Sequence, residues 1–164
     1  MSTDRIEKEV VLRAPLERVW RAVSDADELG RWFGARFDGP FVAGTSVTGV
    51  ITQTAVDEDV ARSQEPYAGM SDTWEIVAVE PQQRLAFRWH PYPVESGTDY
   101  SQEPTTLVEF TLTETKDGVL LRIVESGFDK IPAERRVSAF EANSEGWAAQ
   151  TELVRKYLAL SEKV

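Results

Sequence analysis

Glu125 is the residue of this chain best placed to do chemistry. From Val119 to Glu125 the residues alternate, with Val119, Leu121 and Ile123 on one side, and the period of two brings Glu125 to that same inward side. A partly buried carboxyl has a raised pKa and can serve as acid, base or ligand anchor. The competing reading is an ion pair with an arginine at the end of the sheet. His90 is the single histidine, so any Ser–His–acid triad must use it. It falls on the strand face opposite Trp89, with Pro91 next and no charge partner evident beside it, and the reading adopted is a histidine that merely ends a strand.

No metal or cofactor is expected. The chain has no cysteine, hence no thiolate nucleophile, disulfide or zinc–thiolate site. Asp57-Glu58-Asp59 lacks the glycine turn and terminal glutamate of a calcium loop, and Gly34, Gly39 and Gly44 are spaced too irregularly for a phosphate loop.

Five tryptophans in 164 residues suggest a second kind of site. Aromatic rings can line a hollow for a flat apolar ligand, with the indole N–H as an orienting donor; they can equally fill space between helix and sheet. Ser144 and Thr151 fall on a buried helical stripe. There they can bond a ligand, or bond back to helix carbonyls as such hydroxyls often do.

The elements that must position these groups follow from periodicity. Ile6 to Leu12 is a first strand, and Pro15 suits the opening of a helix whose Leu16, Val19, Trp20 and Val23 share one face. Ser24-Asp25-Ala26-Asp27 breaks that helix and offers caps for a short second one carrying Leu29, Trp32 and Phe33. Thr45 to Thr54, Thr73 to Val79, Arg84 to His90 and Thr106 to Thr113 then alternate with period two. Asp117-Gly118 marks a tight hairpin into the strand ending at Glu125. Ala55–Asp72 and Pro91–Pro104 read as long loops, either lids over a site or simple tips. Pro132 opens a helix to about Leu160, with Val137, Phe140, Ser144, Trp147, Thr151, Val154 and Leu158 on one face; Gly146 in its middle costs about 1 kcal/mol relative to alanine. The expected class is α+β: one domain over residues 1–164, with a curved antiparallel sheet against the long C-terminal helix and two short helices after the first strand.

Charge narrows the function. The 28 acidic and 18 basic side chains give a net charge of -10, which argues against nucleic acid and against anionic membrane surfaces as partners. No apolar run approaches the roughly 20 residues that span a bilayer, and Met1-Ser2-Thr3-Asp4-Arg5 lacks the apolar stretch of a signal peptide, so a cytoplasmic location is expected.

Specific segments resemble a known superfamily. Ala14-Pro15-Leu16-Glu17-Arg18-Val19-Trp20 followed by Arg31-Trp32-Phe33 resembles the opening of the bacterial proteins grouped with the activator of the heat-shock-protein-90 ATPase. Val79-Glu80-Pro81 with Arg84-Leu85-Ala86-Phe87-Arg88-Trp89 is similar to their central hairpin. Glu125-Ser126-Gly127-Phe128 and Gly146-Trp147 are similar to their exit into the last helix. The resemblance covers roughly Ile6 to Leu158 and implies the helix-grip fold of the START and birch-pollen-allergen-like (SRPBCC) superfamily. That superfamily includes lipid carriers, aromatic polyketide cyclases and a co-chaperone domain, so the fold alone does not fix the activity. The expected function is binding of one small, largely apolar molecule between sheet and helix. Trp32, Phe33, Trp74, Phe87, Trp89, Phe110, Ile123, Glu125, Ser144, Trp147 and Thr151 are the candidate contacts. The alternatives are a cyclase- or hydratase-like enzyme using Glu125 to move protons, and a protein-interaction module.

Overall fold

The structure, a computed structural model, describes residues 5–90 and 104–161. Strand β1 (Arg5–Leu12), helices α1 (Leu16–Ser24) and α2 (Ala26–Phe33) and the short strand β2 (Ala35–Phe37) open the chain. Strand β3 (Ser46–Ile51), helix α3 (Glu58–Gln64) and strands β4 (Ser71–Glu80), β5 (Arg84–Trp89), β6 (Thr106–Thr115) and β7 (Gly118–Ser126) follow, and α4 (Ala133–Ser161) comes last.

The seven strands among the described residues form one antiparallel sheet in the order β1-β7-β6-β5-β4-β3-β2. Strands β2 to β7 lie in sequence order, and β1 returns to pair with β7. Alternation decides which face is covered. On β6, Thr106, Val108, Phe110 and Leu112 are buried; on β7, Val119, Leu121, Ile123 and Glu125 are buried. The register sets Glu125 between Val108 of β6 and Ile6 of β1. The β6–β7 hairpin pairs Thr115 with Gly118, so its two turn residues are Lys116 and Asp117, one position earlier than Asp117-Gly118 suggests. Gly118 still matters, because a Cβ there would stand 2.5 Å from the Leu12 carbonyl oxygen.

Helix α4 covers the inner face. Trp147, Thr151, Val154 and Leu158 are buried, and Glu141, Glu145 and Arg155 are exposed. Its first turns differ from the expected stripe: Val137 is 56% exposed, while Ala139 is fully buried and Phe140 packs edge-on against Phe128. The guanidinium of Arg136 donates to the carbonyls of Asp129 and Ile131 at the start of the helix.

Two elements, α3 and β2, are not among those expected from the sequence. Residues 55–72 contain α3, a 3-10 turn (Glu65–Tyr67) and the start of β4, and β3 ends at Ile51 instead of Thr54. The Asp57 carboxylate caps α3 by accepting from the backbone of Asp59 and Val60, but α3 buries no residue, so no apolar period announces it. Strand β2 has three residues, too few for alternation to show. Residues 91–103 of the second expected loop lie outside the described residues.

Candidate functional site

Strand β7 delivers Glu125 to the centre of the molecule with no exposure to solvent. Its carboxyl is ringed by four side chains. Oε2 accepts from Trp89 Nε1 at 2.7 Å, Thr106 Oγ1 at 2.5 Å and Asn143 Nδ2 at 3.1 Å. Oε1 accepts from Trp147 Nε1 at 2.8 Å and Asn143 Nδ2 at 2.9 Å. The indole and amide N–H groups can only donate, so both carboxyl oxygens are committed as acceptors. None of these partners carries a charge. The arginine that the ion-pair reading needs is elsewhere: Arg122 points to the outer face with Glu7 and Glu9, and Arg84 pairs with Glu109. Burial pushes the Glu125 carboxyl above the usual carboxylate range, while the four donors pull the other way.

In front of this cluster lies a cavity of about 330 Å³. Phe33 and Gly34 at the end of α2, Phe37 of β2, Trp74 of β4, Trp89 of β5 and Asn143, Gly146 and Gln150 of α4 are part of its wall. A smaller recess of about 80 Å³ adjoins it and reaches Trp147. Trp89 and Asn143 therefore touch the hollow while donating to Glu125, which stands behind them. Local sequence explains the space. A Cβ on Gly49 would press 2.8 Å from the Phe37 ring, so glycine lets that ring lie across β3, and a Cβ on Gly146 meets nothing within 4 Å.

The aromatic side chains divide into wall and core. Trp74 stacks on Phe87 with ring centroids 3.9 Å apart and planes 5° apart, which places Phe87 beneath the wall. Phe110, Ile123 and Thr151 are likewise packed below it, and the Thr151 hydroxyl donates back to the Ala148 carbonyl at 2.7 Å. Trp32 is buried with its indole donating to Ala22 O, and half-buried Ser144 lies outside the wall. Of the expected contacts, Phe33, Trp74, Trp89 and Trp147 meet the hollow, and Glu125 lies behind Trp89, Trp147 and Asn143.

Sequence reasoning misses several wall residues. Asn143, Gly146 and Gln150 step by three and four beside the apolar stripe of α4, a small-and-polar stripe that the same periodicity could reveal. Asp72 and His90 were hidden by separation in sequence. The β4–β5 pairing brings them together, with His90 Nδ1 3.8 Å from Asp72 Oδ1, and both line the cavity. His90 follows the last residue of β5, so strand alternation no longer separates it from the side of Trp89. Burial pushes the Asp72 carboxyl up to about 6, with the Thr73 amide and His90 opposing. Among the described residues no group of three or more His, Cys, Asp or Glu could hold a metal ion.

Residues 13–159 match the family described as activator of Hsp90 ATPase homolog 1-like protein. The chain belongs to this family. Solved structures with the same fold include DynU16, a protein in the dynemicin biosynthetic locus, at 24% identity and a TM-score of 0.67. That match covers 95% of this chain but 47% of DynU16, so this chain spans about half of that protein's length. Protein MLL2253 from Mesorhizobium loti matches at 22% identity and a TM-score of 0.68, over 94% of this chain and 96% of its own. Protein NE0264 from Nitrosomonas europaea matches at 16% and 0.70, over 100% and 99%. These likenesses show the fold of the family member and nothing of its ligand. No protein of curated function matches the chain. Among the described residues no helix is long and apolar enough to cross a membrane.

Proposed function

We propose that this family member binds one small, largely apolar molecule in the cavity between β2–β5 and α4. The supporting observation is the hollow itself: about 330 Å³, walled by Phe33, Phe37, Trp74 and Trp89, with a mainly apolar surface. That volume falls within the roughly 300–1,000 Å³ of small-molecule sites. In this reading Glu125 is a strut. Its five hydrogen bonds hold Trp89, Trp147 and Asn143 in place, so the wall is pre-organised before a ligand arrives.

Catalysis by Glu125 is the weaker reading, because the carboxyl has no free face and both oxygens are already engaged. Binding is tested with the uncharged fluorophore N-phenyl-1-naphthylamine, whose emission should rise saturably on addition of protein. Gly146→Phe directs a ring into the space beside α4 and should weaken that binding at least tenfold. A fluorophore that does not bind, or binds the variant equally well, would remove the cavity as the site.

A further inference from the structure

Among the described wall residues there is no lysine or arginine. Asp72 supplies the carboxylate, with His90 3.8 Å away. On the opposite side, Gln150 donates from Nε2 to the Phe33 carbonyl at 3.2 Å. A carbonyl accepts only from the NH₂ end of an amide, so this bond fixes which way Gln150 points. Its Oε1 is left buried with no hydrogen-bond partner. Among the described wall residues the Asp72 carboxylate is the one acidic side chain.

The rings between Asp72 and Gln150 set the shape of the space. Phe33 and Trp74 meet at 81°, and Trp74 and Trp89 at 89°, so the wall consists of steeply inclined aromatic surfaces. A carboxylate entering this site would find no lysine or arginine among the described wall residues and would approach Asp72.

We infer that the cavity selects a hydrophobic amine, with its ammonium group directed to Asp72 and its flat apolar body held among Phe33, Trp74 and Trp89. This rests on the cavity-binding reading and adds the charge of the ligand to it.

The test is displacement of N-phenyl-1-naphthylamine by three matched compounds at about pH 8 and fixed ionic strength: 2-naphthylmethylamine, 2-naphthylmethanol and 2-naphthoate. The amine should displace the fluorophore at a concentration about tenfold lower than the alcohol, with the carboxylate weakest. Asp72→Asn keeps the shape and should bring the amine to the level of the alcohol. Glu141→Gln removes the same charge from the exposed side of α4 and should leave the order unchanged. An amine advantage that survives in Asp72→Asn, or a carboxylate that matches the amine on the unsubstituted protein, would overturn the inference. Displacement by alcohol and amine alike would overturn it and leave the cavity reading standing; failure of the fluorophore and all three compounds would remove both.

Discussion

A carboxyl held wholly out of water by four uncharged side chains behaves differently from one held by an arginine. Replacing Glu125 with glutamine puts an NH₂ where an acceptor stood, so one indole N–H, of Trp89 or of Trp147, loses its partner. An unpaired buried donor costs about 1–3 kcal/mol, and Glu125→Gln should lower unfolding free energy by that amount in urea titrations near pH 5. The direction with pH follows from the raised pKa: the folded state binds the proton more tightly than the unfolded chain, so wild-type stability declines as pH rises through the folded value. Glutamine lacks that decline, and the gap between variant and wild type should narrow toward pH 8; a widening gap would contradict the assignment. Asp72 obeys the same sign. Its unfolded pKa is about 3.9 and its folded value about 6, so its share of stability is fully present below the first and lost through the second. Asp72→Asn should therefore flatten the stability curve between about pH 4 and pH 7, read from urea midpoints.

Helix α4 meets two demands, covering the sheet and leaving a hollow. Trp147, Val154 and Leu158 serve the first, and Asn143, Gly146 and Gln150 the second. Gly146 is costly for a helix, yet nothing within 4 Å of a built Cβ forbids alanine. Gly146→Ala should raise unfolding free energy by roughly 0.5–1 kcal/mol, and an unchanged or lower value would show that the helix is strained at this point. The strands and α4 were legible because burial imposes periods of two and 3.6 on β6, β7 and Trp147–Leu158. Helix α3 was not, because it buries nothing and is placed by polar contacts distant in sequence: Gln64 with Phe33 and Thr54, and Asp57 with Lys156. Glu125 was legible as an inward carboxyl, but its partners on β5, β6 and α4 were not, since periodicity names a face and no neighbour. The same limit hid the Asp72–His90 pair, and exposed Val137 shows that a stripe read from periodicity can miss its first turns.

At the scale of the molecule, polar bonds fasten the helices around a hollow that apolar packing alone would close. One carbonyl, Phe33 O, accepts from Gln64 of α3 and Gln150 of α4, so three helices meet at the rim. Farther along α4, the Tyr157 hydroxyl donates to Glu28, which also pairs with Arg18 and Arg21. Held at both places, α4 can leave Gly146, about one turn before Gln150, facing empty space without collapsing onto the sheet. The most direct test of this arrangement is a titration of the ¹⁵N-labelled protein with 2-naphthylmethanol, following the indole N–H resonances. Those of Trp74 and Trp89, in the cavity wall, should shift saturably, while that of Trp32, bonded to Ala22 O in the core, should stay in place. Absence of any saturable shift at Trp74 and Trp89, or an equal shift at Trp32, would contradict binding in the cavity.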